Sequence, residues 1–119
     1  MEEILRRSEE LAAAARREHR LRRMREEYIA CSLLGEPAWD MLLDLFAHSV
    51  RGEKVPVSSA CVAAHCPPTT ALRYIDMLVQ EGFIMRSADK TDKRPVLLTL
   101  SRETLVSIGS FLIAMSDED

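Results

Sequence analysis

Residues 66–82, "CPPTTALRYIDMLVQEG", set two prolines and two threonines in front of a helix-like run that closes on a glycine. Pro67 and Pro68 stop any helix arriving from the left, because proline lacks an N–H and restricts the residue before it. A new helix is predicted from Pro68 or Thr69 to Glu81, with Gly82 as its C-terminal stop. Its spacing turns Leu72, Ile75, Leu78 and Val79 inward. Thr69, Thr70, Arg73, Tyr74 and Met77 fall on the outward side. A rigid entry followed by hydroxyls and long side chains suits a helix that is inserted into a groove. The plain reading of the same residues is the exposed face of a core helix.

The flanking segments give that helix a setting. In "KVPVSSACVAAHC" (54–66) a short extended piece is expected at Val55–Val57. A brief helix follows, with Ser58 in position to cap it, and ends near His65. Two helices joined by a tight turn make a helix-turn-helix pattern. Beyond it, "FIMRSADKTDKRPVLLTL" (83–100) reads as a β-hairpin. One arm is Phe83–Ala88, the tip is Asp89–Arg94, and Val96, Leu98 and Leu100 alternate toward one face of the return arm.

Further out, "GEPAWDMLLDLFAHSVRG" (35–52) is a core helix with Pro37 in its first turn and Gly52 at its end. Trp39, Leu42, Leu43, Phe46 and Val50 share one face. Asp40, Asp44, His48 and Arg51 share the other, which is expected to be solvated. Residues from Glu2 to Ile29 lack Gly and Pro and read as one helix carrying two narrow apolar stripes, Ile4/Leu11/Ala15 and Leu21/Met24/Tyr28. Stripes of that width suit a seam with another helix. The last helix, capped by Ser101, is apolar on two sides: Leu105, Ile108, Leu112 and Met115 on one, Val106 and Ile113 on the other. Two apolar sides call for two partners, the chain's own core and a second subunit.

Composition narrows the class. With 47% hydrophobic and 29% charged residues in 119, the chain reads as one globular domain with a mainly aliphatic core, aromatics being 5%. No apolar run approaches the roughly 18 residues a membrane span needs, and the charged N-terminus lacks a signal-peptide pattern, so a cytoplasmic location is expected. The net charge of −3 is unevenly spread. Residues 1–30 carry eight Arg against seven Glu, 31–50 three acids and no base, 51–94 seven bases against five acids, and 95–119 one base against four acids. The middle of the chain is therefore mildly basic, which permits a phosphate-rich partner.

The order helix, helix, short strand, helix, groove-type helix, hairpin, helix resembles the winged helix-turn-helix of the MarR family of bacterial transcription regulators, over roughly Gly35 to Leu112. That family often carries Asp-x-Arg-Asp-x-Arg before a strand ending in Leu-Thr. Here "DKTDKR" (89–94) precedes "VLLTLS" (96–101). Asp89, Asp92 and Arg94 match, while Thr91 stands at the family's middle Arg with Lys90 beside it.

The resemblance implies an α+β fold, mainly helical with a small hairpin, and the domain plan that goes with it. Residues 1–34 would be a dimerisation helix, 35–101 the winged core, and 102–119 a C-terminal packing and dimerisation helix with an acidic tail. It also implies a homodimer on a pseudo-palindromic double-stranded DNA operator. The helix 68–81 would lie in the major groove and the wing 89–94 at the minor groove. Carried over by position, the DNA-binding residues are Ser58, Pro68, Thr69, Thr70, Arg73, Tyr74, Met77, Lys90, Lys93 and Arg94. Many members bind phenolic ligands between their two regions; the shortness of this chain and its few aromatics do not carry that ligand over.

Other chemistries find less support. Cys61 and His65 stand one turn apart, but zinc favours paired short spacings, and Cys31 and His48 fall on other elements. No metal or cofactor is expected, and Cys61 and Cys66 are read as packing residues. A thiol-based redox sensor is an alternative, although no basic cluster adjoins either cysteine to favour a thiolate. Three cysteines are too few for a disulfide framework. No Gly-rich phosphate loop, nucleophile elbow or acid–base pair points to an enzyme. A winged-helix module that binds protein and not DNA is the remaining alternative.

Overall fold

The computed structural model describes residues 1–28, 36–88 and 96–117. In place of one unbroken N-terminal helix there are two, α1 (Glu2–Arg6) and α2 (Ser8–Tyr28). They part at Arg7, whose φ of −101° and ψ of 23° leave the helical region. No Gly or Pro marks this break. Its origin is tertiary: α1 packs on the C-terminal helix, α6 (Arg102–Asp117), and buries Ile4 there. Arg7 spans the break by pairing with Glu3 at 3.1 Å and Glu10 at 2.8 Å.

The first N-terminal stripe, Ile4/Leu11/Ala15, is broader than expected and takes in Ala12; of the second, Leu21 is exposed, and the side chains of Met24 and Tyr28 lie outside the described residues. Leu11, Ala12 and Ala15 are fully buried in the chain's own core. α2 packs along α3 (Pro37–Ser49) and also meets α6. The first helices therefore belong to the core of a single chain, whatever else they meet.

α3 is the central element. Met41, Leu43, Leu45, Phe46 and Ala47 are all buried, so apolar contacts surround much of its circumference. Trp39 and Leu42 are only partly buried, at the edge of that core. Asp40, expected among solvated residues, is buried and bonded to Arg22 of α2. His48 was expected to be solvated and unpartnered. It is half-exposed, with Nδ1 2.9 Å from Glu53 Oε1 and Nε2 3.9 Å from Asp44 Oδ1. A charged residue at polar-face spacing reads as solvated from sequence alone, because the partner comes from another element.

The sheet has the order β1-β3-β2 and is antiparallel. β1 (Val55–Pro56) pairs with β3 (Val96–Leu100), and β3 pairs with β2 (Ile84–Ala88) from Ile84↔Leu100 to Ala88↔Val96. Leu98 and Leu100 are buried while Leu97 and Thr99 between them are only partly so, the period-2 alternation of a half-buried strand; Val96, on the same face as Leu98, is exposed at the strand's start. Ser49 Oγ accepts from the Leu100 N–H at 3.1 Å and ties α3 to this strand. Ser101 caps α6, accepting from the Thr104 N–H at 3.3 Å. The hairpin tip, residues 89–95, lies outside the described residues.

Candidate nucleic-acid interface

α4 (Val57–Ala64) and α5 (Pro68–Gln80) form the helix-turn-helix. α4 ends at His65, which takes the left-handed conformation at φ 55°. Pro67 is then the N-cap of α5 and Pro68 its first residue. No side chain caps that end. By helix geometry the N–H groups of Thr69 and Thr70 have no partner within α5. Gly82, at φ 84°, closes the exit as expected of a C-terminal glycine.

The inward set of α5 differs in one position from the sequence reading. Ala71 and Ile75 are buried, Leu78 and Val79 partly so, but Leu72 is 46% exposed. The small Ala71 takes the inner position where the helix meets its neighbours, and Leu72 turns toward α4.

On the outer side Thr70, Arg73, Tyr74 and Met77 line one shallow hollow of about 210 Å³. Their i, i+3, i+4, i+7 spacing is one stripe of a helix. Tyr74 is partly packed on the core, which fixes its ring, whereas Arg73 and Met77 are exposed. No carboxylate among the described residues pairs with Arg73. Asp76, on the same helix, is taken by Arg86 of β2. Thr69 is exposed beside this stripe.

Ser58 and Pro68 are brought to a different place. Ser58 lies in the first turn of α4, whose N-cap is Pro56, so it does not cap the helix. With Pro68 and Leu72 it lines a separate cleft between α4 and α5. Lys90, Lys93 and Arg94 fall outside the described residues. Two basic side chains near the hairpin were missed: Arg86, and Lys54, whose Nζ lies 3.4 Å from Ser87 Oγ. Alternation gave no signal for Arg86, which shares the parity of the buried Ile84 yet is exposed.

Cys61 and Cys66 are partly buried against the core, as expected of packing residues, and also line the α4–α5 cleft. Burial pushes both thiols upward in pKa, and for Cys66 the neighbouring Cys61 adds to the effect. Neither is activated as a thiolate. Among the described residues no group of three or more His, Cys, Asp or Glu could hold a metal ion. Among them, too, no helix is long and apolar enough to cross a membrane.

Solved structures share this arrangement. A MarR family transcriptional regulator from Silicibacter pomeroyi superposes with a TM-score of 0.58 at 22% identity, over 86% of this chain and 66% of that one. The adhesin competence repressor AdcR of Streptococcus pyogenes gives 0.51 at 18% identity, over 66% of this chain and 57% of its own. The haem sensor protein PefR of Streptococcus agalactiae, solved with haem, gives 0.53 at 22% identity, over 84% and 67%. The chain thus spans about two thirds or less of the first two structures. No family model and no curated protein matches the sequence. What is shared is the fold: a mainly helical, MarR-like winged helix-turn-helix with a small three-stranded antiparallel sheet.

Proposed function

We propose that the chain is a sequence-specific, double-stranded-DNA-binding transcription regulator, with α5 in the major groove and the wing 89–94 at the adjacent minor groove. The observation that carries this reading is the stripe of Thr70, Arg73, Tyr74 and Met77, which is open along one side of α5 with Arg73 unpaired by any described carboxylate. A guanidinium one turn into a groove helix can reach guanine O6 and N7, and the free N–H groups ahead of it suit a phosphate. In this reading Ser58 and Pro68 lie at the margin of the interface, and Lys90, Lys93 and Arg94 contact backbone or minor groove. The neighbours named as MarR family regulator and repressor point the same way.

The working form is a homodimer through residues 1–34 and 102–119. Leu5 and Phe111 remain exposed on α1 and α6 and suit that contact. Two motifs related by a two-fold axis would read half-sites about 10 bp apart on one face of a pseudo-palindrome. The dimer would act in a bacterial cytoplasm, where the duplex is. Selection of bound sequences from random duplexes, followed by footprinting, tests the reading. Enrichment of an inverted repeat supports it, and a single unrepeated half-site removes the symmetric model.

One observation favours a second reading, a module that binds protein. α4 carries no charged residue, and Arg86 is neutralised by Asp76. Binding to random duplex that weakens steeply with salt separates the two, since neutralising phosphates releases counterions. Absence of any duplex binding at low salt would favour the protein partner.

A further inference from the structure

The cleft between α4 and α5 has no part in the reading above beyond its rim. It is an open cleft of about 570 Å³, with walls made by Val57, Cys61, Val62, Cys66, Pro68 and Leu72. That volume is within the range of about 300–1,000 Å³ typical of small-molecule sites. Val62 is 73% exposed and Leu72 46%, so each helix of the motif turns a large apolar side chain toward solvent at the same place. Among the described residues no Lys, Arg, Asp or Glu lines it; Ser58 and His65 are its polar members. An acid or phosphate would enter an apolar cleft with no charged partner among the described residues, which disfavours it relative to an uncharged ligand. Both thiols are pushed upward by burial and stay protonated at neutral pH, where they behave as small, polarisable apolar groups.

We propose that this cleft is a binding site for an uncharged, largely apolar small molecule held between the two helices of the motif, with room for one hydroxyl or carbonyl beside Ser58 and His65. The site lies inside the motif and not between the motif and the long terminal helices. It does not depend on what α5 reads.

The test is titration of the full chain, without DNA, with N-phenyl-1-naphthylamine, an uncharged dye that brightens in apolar surroundings. One saturable site per chain is expected. Val62→Asp and Leu72→Asp, at exposed positions, should each lower affinity about tenfold or more, the effect of a carboxylate set in an apolar wall. Leu21→Asp on α2, lining a separate hollow, should leave affinity within about twofold, as expected of a distant site. The anionic relative 1-anilinonaphthalene-8-sulfonate should bind more weakly. In the unsubstituted protein, bound dye should slow iodoacetamide alkylation of Cys61 and Cys66, read by peptide mass. Absence of saturable binding, equal loss in Leu21→Asp, or alkylation unaffected by saturating dye would each overturn the site. Equal binding of the anionic dye would overturn its ligand class.

Discussion

Arg22 Nε lies 2.7 Å from Asp40 Oδ1, with the carboxylate side chain 2% exposed and the guanidinium side chain 10%. The same guanidinium reaches Glu36 Oε2 at 2.9 Å. The pair joins α2 to α3, so the N-terminal helix is fastened to the element on which the helix-turn-helix rests. Burial works against the charge on Arg22, yet the hydrogen bond and charge of Asp40, and then those of Glu36, raise its pKa.

Removing one partner of a buried pair leaves the other charge uncompensated, which typically costs about 3–5 kcal/mol. Arg22→Met is expected to lose stability in that range by urea unfolding. Arg22→Met combined with Asp40→Leu should recover most of it, because the stranded carboxylate is gone. A single-mutant loss below about 1 kcal/mol would assign the pair to the class of exposed salt bridges.

Gly109 of α6 sits against Ile4 of α1. A Cβ added there would stand 2.7 Å from Ile4 Cδ1, 3.0 Å from Cγ1 and 3.2 Å from Cγ2. Ala in a helix gains about 1 kcal/mol over Gly, whereas overpacking costs about 1–3 kcal/mol. The contact includes both branches of Ile4, so turning χ1 exchanges one clash for another. Overpacking therefore wins, and Gly109→Ala should destabilise by about 1 kcal/mol. In an Ile4→Ala background the same substitution should become stabilising. A double-mutant cycle by thermal unfolding reads that reversal of sign.

Asp44 supplies a pH dependence. Burial raises its pKa above the ordinary 3.8, against the pull of His48 and then His19. The folded state therefore holds this proton more tightly than the unfolded chain. Its contribution to stability is complete below 3.8 and is lost as pH rises through the folded value. Above its folded value the group is charged at a cost. Asp44→Asn should raise Tm at about pH 7 and lose that advantage near pH 3. Glu53 has the opposite sign, since its hydrogen bond to His48 holds its carboxyl low. Glu53→Gln should lower Tm at neutral pH, and the difference should shrink as the carboxylate is protonated. Scanning calorimetry of both variants against pH checks the pair of signs.

The parts of the fold that were legible in sequence are those fixed by local chemistry. Pro67, Pro68 and Gly82 bound α5, Ser101 caps α6, and the alternation that sets Leu98 and Leu100 inward on β3 was readable, although Val96, expected with them, is exposed. Parts fixed by packing were not. The break at Arg7 serves the seating of Ile4 on α6, and nothing near Arg7 announces it. Burial of Asp40 depends on Arg22, eighteen residues earlier. The exchange of Leu72 for Ala71 depends on how closely α5 approaches its neighbours. For the site, helical period alone groups Thr70, Arg73, Tyr74 and Met77. The angle between α4 and α5, which sends Ser58 and Pro68 to a different cleft, has no local signature.

Division of labour between α5 and the wing is the sharpest test of the DNA reading. Arg73 is exposed one turn into α5 and shares its stripe with Thr70 and Met77. If it forms a bidentate contact with a base, Arg73→Ala should cost about 1–3 kcal/mol and relax preference at one position of each half-site. Lys93 is assigned to phosphate, which carries no sequence information. Lys93→Ala should then weaken all duplexes alike and reduce the slope of log affinity against log salt by about one unit. Fluorescence anisotropy on a selected operator, on single-base variants and on a scrambled duplex, each at several salt concentrations, resolves both effects. If Arg73→Ala instead loses the same affinity on every duplex, Arg73 is a second phosphate contact. Base reading would then fall to Thr70, Tyr74 and Met77, through hydroxyl and methyl contacts that discriminate less sharply.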